Sequence, residues 1–157
     1  MNWSRWWPVG LVVIIVAVGV APAQAQQSIS EARDEPLGTE VTVEGTVTRA
    51  YGAYARIQDE SGPTGASAIV IRQTSGSNSM VFQDAIEAGE IQPGTTLEVT
   101  GSTSAFNGII QINNDDLGSF EVKAQGEPPS PQTVTLEDLS QNGEEYESEL
   151  LRIEGLR

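Results

Sequence analysis

Two stretches of this chain, Val41-Thr-Val-Glu-Gly45 and Leu97-Glu-Val-Thr-Gly101, carry the same period-two pattern of apolar residues, and each ends on a glycine. Alternation of this kind puts the apolar side chains on one face of a pleated strand and the threonines and glutamates on the other. The β-branched residues suit that conformation. A glycine inside such a run predicts a bend or bulge of the kind that turns the corner of a closed sheet. The chain is thereby restricted to a sheet with one buried and one solvated face.

The neighbouring segments extend the pattern. Val47 continues the first strand, and Tyr51-Gly-Ala-Tyr54 reads as its connection to a second, Tyr54–Gln58, with Ala55 and Ile57 facing inward. Asp59-Glu-Ser-Gly62 has the composition of a tight turn, and a third strand follows at Ala66–Arg72 with Ile69 and Ile71 on one face. After the polar loop Gln73–Ser79, the spacing of Val81, Phe82, Ala85 and Ile86 predicts a short amphipathic helix that stops near Gly89. Pro93-Gly94 is a turn, and Thr96–Ser104 is the fourth strand. Asn107-Gly108 is a strong hairpin signal leading into Ile109–Asn113, and Ser119–Ala124 is a further short strand. The order is β-β-β-α-β-β: an all-β chain with one short helix, matching a five-stranded Greek-key OB-fold barrel. An SH3-like barrel, which would lack the helix, and an open β-sandwich are the alternatives.

Ahead of this region Arg5 precedes the unbroken apolar run Val9–Val20, and Ala23-Gln-Ala25 supplies a small-x-small cleavage site. Residues 1–25 therefore read as a secretory signal peptide. An uncleaved anchor is the competing reading, with Trp3, Trp6 and Trp7 at the interface, but the run is shorter than the ~20 residues of a span. An exported destination (secreted, cell-surface or periplasmic) follows, with no membrane attachment after cleavage. Behind the predicted barrel, residues 26–126, residues 127–132 form a proline-rich linker. Residues 133–157 then repeat the opening of the module: Leu151-Arg-Ile-Glu-Gly155 matches Val41–Gly45, and Leu136–Ser140 parallels Ile29–Arg33. This looks like a second, truncated OB-like repeat. Either the chain is part of a longer protein, the preferred reading, or the tail docks on the barrel.

The chain has neither cysteine nor histidine, so cysteine nucleophiles, serine–histidine triads and histidine-ligated metals are excluded. No nucleophile–base pair stands out, and a non-enzyme without cofactor or metal is expected. Asp59 and Glu60, adjacent in a turn, do not make an acid–base pair. Asn113–Asp116 lacks the alternating ligand spacing of a calcium loop and reads as a polar loop. Eight Lys and Arg stand against 22 Asp and Glu, a formal charge of −14. That balance opposes non-specific attraction to nucleic acid at long range and suits a salty medium, where self-repulsion is screened.

Gly38–Val47, Gln58-Asp-Glu-Ser-Gly62, Pro93–Gly101 and Asn107-Gly-Ile-Ile-Gln111 together resemble the secreted bacterial OB-fold modules found ahead of endonuclease/exonuclease/phosphatase-type domains in extracellular nucleases. The resemblance covers residues 29–123. It implies a non-catalytic binding module serving a neighbouring domain of a longer chain. OB-folds bind through the face of strands two and three and the adjoining loops, where bases stack on aromatics and cations follow phosphates. Here that face offers Tyr51, Tyr54, Arg56, Gln58 and Arg72, with Arg49 nearby and Phe106, Asn107 and Gln111 at the hairpin. Single-stranded nucleic acid or an oligosaccharide is the expected ligand. The same residues also read as an ordinary solvated strand face, in which case the chain is a structural spacer. A small stand-alone periplasmic protein is a further alternative, opposed by the repeat at Leu151–Gly155.

Overall fold

A computed structural model describes residues 25–61, 66–113 and 118–156. Residues 1–24 of the proposed signal peptide, Gly62 of the predicted turn and Asn114–Asp116 lie outside them. The chain is mostly β, with a few short helices. In order, the elements are α1 (Ile29–Asp34), β1 (Glu40–Tyr51), β2 (Tyr54–Gln58), β3 (Ala68–Arg72) and α2 (Ser79–Glu87). They continue with β4 (Thr95–Phe106), β5 (Ile109–Asn113), β6 (Ser119–Gln125), β7 (Gln132–Thr135), α3 (Leu136–Asn142) and β8 (Leu151–Glu154). Among the described residues, no helix is long and apolar enough to cross a membrane.

Strands β1 to β6 form one six-stranded sheet that curls on itself. β1 pairs antiparallel with both β2 and β4, β2 with β3, and β4 with β5, while β3 and β5 meet in a short parallel ladder. The ladders thus run β1-β2-β3-β5-β4 and back to β1. β6 adds to the other side of β4.

The alternation read from the sequence accounts for the core. Val41, Val43, Val47, Ile57, Ile69, Ile71, Leu97, Val99 and Ile112 are fully buried in one cluster. α2 lays Phe82 and Ala85 over it, and Phe82 meets Phe120 of β6 edge to face at 5.1 Å. Gly89, at φ +78°, ends that helical segment in the left-handed conformation that glycine adopts at little cost.

Gly45 does not form the bulge that its place in the strand suggests. It continues the register with Leu97. A Cβ built there would lie 3.1 Å from the backbone N and O of Gln58 and from Cδ1 of Ile29, so its service is close approach of backbone to backbone. The irregularity of β1 falls further on, between Val47 and Arg49.

The sequence pattern showed one helix, and the structure has two more. α1 is only six residues long, but Ser28 caps it reciprocally with Glu31, and Ile29 and Ala32 are fully buried. α3 is capped in the same way by Thr135 and Asp138. The two segments are built alike. Gln27 bridges Val43 in parallel across α1, and Val134 pairs with Ile153 in parallel across α3. β8 is therefore not a lone strand, and the segment following α3 lies against the barrel-like sheet.

Candidate ligand-binding face

The irregularity in β1 sets up the face. Val47 pairs with Ile57, both inward, but the next pair is Arg49 with Arg56, so Thr48 is the extra residue. Inserting one residue reverses the side-chain phase. Without it Arg49 and Tyr51 would point at the core. With it they stand outward beside their partners Arg56 and Tyr54. β3 continues the rows, Tyr54 opposite Arg72 and Arg56 opposite Val70.

Arg49, Tyr51, Tyr54, Ala55, Arg56 and Val70 line a shallow depression of about 250 Å³. Tyr51 is 77% exposed and Tyr54 45%. The Arg72 guanidinium lies between two rings, 5.9 Å from the centre of Tyr54 and 5.2 Å from that of Phe106. Cation–π contacts of this kind hold a guanidinium in place without neutralising it.

Arg49, Arg56 and Arg72 have no carboxylate within ion-pair distance among the described residues. The ion pairs there belong to Arg33 with Glu147 and to Lys123 with Glu98 and Glu121. The shared hydrogen bonds and charges of Glu121 and Glu98 raise the Lys123 pKa. The Nε atoms of Arg56 and Arg72 are buried without an acceptor among the described residues. Among the described residues, three guanidinium groups without a carboxylate partner therefore sit on one face of a chain of net charge −14.

The structure divides the residues expected to bind ligand. Tyr51, Tyr54, Arg56 and Arg72 come together, joined by Arg49 and Phe106. Asn107 is exposed in the β4–β5 hairpin at φ +52°, next to Gly108 at φ +88°, as an Asn-Gly turn requires. Gln58 stands on the face but is engaged, its Oε1 accepting the Leu150 N–H at 3.0 Å. Gln111 is 4% exposed and donates to Ser104 Oγ at 3.3 Å, which makes it part of the packing. Val70, which floors the depression, was not singled out from the sequence. Its signal was an apolar residue on the outward side of a strand whose inward residues are Ile69 and Ile71.

No family model matches the chain, and no curated protein matches it in sequence. Among solved structures it is similar to the aspartyl tRNA synthetase from Entamoeba histolytica, at 17% identity with a TM-score of 0.51. That match covers 77% of this chain and 27% of the synthetase. It is also similar to the hypothetical protein ygiW from E. coli, at 16% identity over 64% of this chain and 90% of that one, with a TM-score of 0.40. The telomere capping protein Ten1 from Saccharomyces pombe matches at 15% identity over 64% and 81%, also with a TM-score of 0.40. At these identities a likeness concerns the fold alone.

Proposed function

We propose that this chain is a non-catalytic OB-fold module of an exported protein and that its arginine–aromatic face binds single-stranded nucleic acid. The ring of ladders β1-β2-β3-β5-β4, with α2 between the third and fourth strands, supports the barrel assignment. One observation carries the ligand: among the described residues, Arg49, Arg56 and Arg72 have no carboxylate partner and stand beside Tyr51, Tyr54 and Phe106. Exposed rings offer stacking platforms to bases, and unpaired guanidinium groups offer charge to phosphates.

A neutral oligosaccharide would use the tyrosines and leave three cations idle, so nucleic acid fits the composition of the face better. The acidic remainder does not prevent this. At physiological ionic strength the screening length is about 8 Å, so carboxylates beyond that distance weigh little against guanidinium groups in contact. Export rests on the reading of residues 1–25. Service to neighbouring domains rests on residues 133–157, which rebuild the capped helix and parallel strand of the first module.

Fluorescence titration with single-stranded oligonucleotides and with neutral oligosaccharides, at low and high salt, tests the reading. Salt-sensitive binding of the oligonucleotides is expected. Binding of the sugars alone would transfer the face to that class, and binding of neither would leave a spacer module.

A further inference from the structure

Ala68 and Val70 are both buried, yet neither belongs to the core cluster. Their register with Gln58 and Arg56 puts them on the outward side of β3, the side of the proposed binding face. Val70 floors the depression between the arginines and tyrosines. Ala68 lies at the other end of the face, where the segment after α3 crosses it.

That crossing is held by specific bonds. Arg33 Nη1 donates to the Ala68 carbonyl at 2.9 Å and pairs with Glu147 Oε1 at the same distance. The side chains of this pair are 9% and 14% exposed. The same Glu147 oxygen accepts the Ile110 N–H of β5 at 3.0 Å. Glu149 accepts from both the backbone N–H and the hydroxyl of Ser67, at 3.0 and 2.7 Å. The Leu150 N–H reaches Gln58, and the Ala66 N–H donates to the Glu145 carbonyl. Residues 145–150 are thereby tied to β2, to β5 and to Ala66 and Ser67 just ahead of β3, at one end of the face. Breaking one member of a buried, hydrogen-bonded ion pair leaves the other charge stranded, so such a crossing is not easily displaced.

The face is therefore polarised. Among the described residues, nothing covers the Tyr54–Arg72 end, which is cationic and aromatic. The Gln58–Ala68 end is covered by a segment carrying Glu144, Glu145, Glu147 and Glu149. Tyr54 and Gln58 are four residues apart, about 13 Å along an extended strand. A single strand entering over the arginines meets a physical block that also carries the exposed carboxylates of Glu144 and Glu145.

We propose that residues 145–150 act as a stop that restricts the face to a short stretch of single strand, near the lower bound of the roughly 4–16 nucleotides that OB folds cover. This rests on the nucleic-acid reading of the face. The test is anisotropy of labelled oligothymidylates, from about 3 to about 15 nucleotides, with the full chain and its Glu147→Ala/Glu149→Ala variant. The wild-type affinity is expected to level off at about 4 nucleotides, while the variant gains a further fivefold or more on lengthening, about one added stacked base.

If the double variant fails to show a cooperative melt, Gln58→Ala/Glu149→Ala removes the Leu150 and Ser67 bonds of the crossing while the Arg33–Glu147 pair stays in place, and is expected to shift the plateau in the same direction by a smaller amount. An identical plateau in wild type and variants overturns the stop and leaves the binding reading intact. So does a wild-type affinity that climbs steadily with length. No binding at any length by any of the proteins overturns the binding reading, and the stop with it.

Discussion

At Tyr54 a ring 45% exposed shares a row with Arg72, whose guanidinium lies 5.9 Å from its centre. Base–aromatic stacking is worth about 1–3 kcal/mol per base, so Tyr54→Ala should weaken oligonucleotide binding roughly five- to 150-fold. The melting temperature should change far less, because Tyr54 is nearly half exposed and stands outside the core cluster. Paired titration and melting curves check both halves. Gly45 has the opposite character. A methyl group there meets the backbone of Gln58 and the side chain of Ile29 at 3.1 Å, and backbone yields poorly. Gly45→Ala should cost about 1–3 kcal/mol, as overpacking does, seen as a lower denaturant midpoint with ligand affinity per folded molecule preserved. From the sequence this glycine reads as a bend or bulge. A bend, a bulge and a close approach leave the same mark in a strand.

Among the elements, β1 carries the step that makes the face. Deleting Thr48 removes the extra residue and returns Arg49 and Tyr51 to the inward phase. The deletion variant should lose binding by more than Tyr54→Ala alone and should also melt lower, because a guanidinium turned inward is costly to desolvate. The same oligonucleotide titration and thermal melt read both effects. The irregularity was not read from Val47-Thr-Arg-Ala50, although the apolar alternation of β1 stops at Val47 and an arginine takes the next position of the same phase. β2 and β5, by contrast, were legible to their end residues, because alternation and the Asn107-Gly108 turn are local signals. α1 escaped because six residues hold too few apolar positions to show a period. Its signal was the Ser28–Glu31 pair. The Ser28 bonds hold the Glu31 carboxyl below its ordinary pKa, and the Thr135 bonds do the same for Asp138. Groups depressed in the folded state stabilise it above the ordinary carboxylate range and cease to do so as pH falls through their folded values. The Ser28 and Thr135 amides, which donate to those carboxylates at 3.0 and 2.8 Å, should keep their hydrogen-bonded NMR shifts at neutral pH and lose them well below pH 4.

For the whole molecule, salt should act on fold and on binding in opposite directions. A net charge of −14 makes the compact state repel itself, and added salt screens that repulsion. The melting temperature should therefore rise from dilute buffer to molar salt. Binding depends instead on attraction confined to one patch. If Arg49, Arg56 and Arg72 each neutralise one phosphate, the single-strand slope of about −0.7 per contact gives d log K/d log[salt] near −2. The composition suggested a chain that nucleic acid would avoid, because a sum over residues does not record where charges lie. Arg33 and Lys123 are spent on carboxylates, and Arg152 belongs to β8, so among the described residues most of the unpaired positive charge of the six-stranded sheet falls on the face that the irregularity in β1 assembles. Replacing Arg49 with Gln should make the slope shallower by about 0.7 while the salt dependence of the melting temperature is retained. A slope unchanged by that substitution would place the phosphates elsewhere and remove the charge argument for this face.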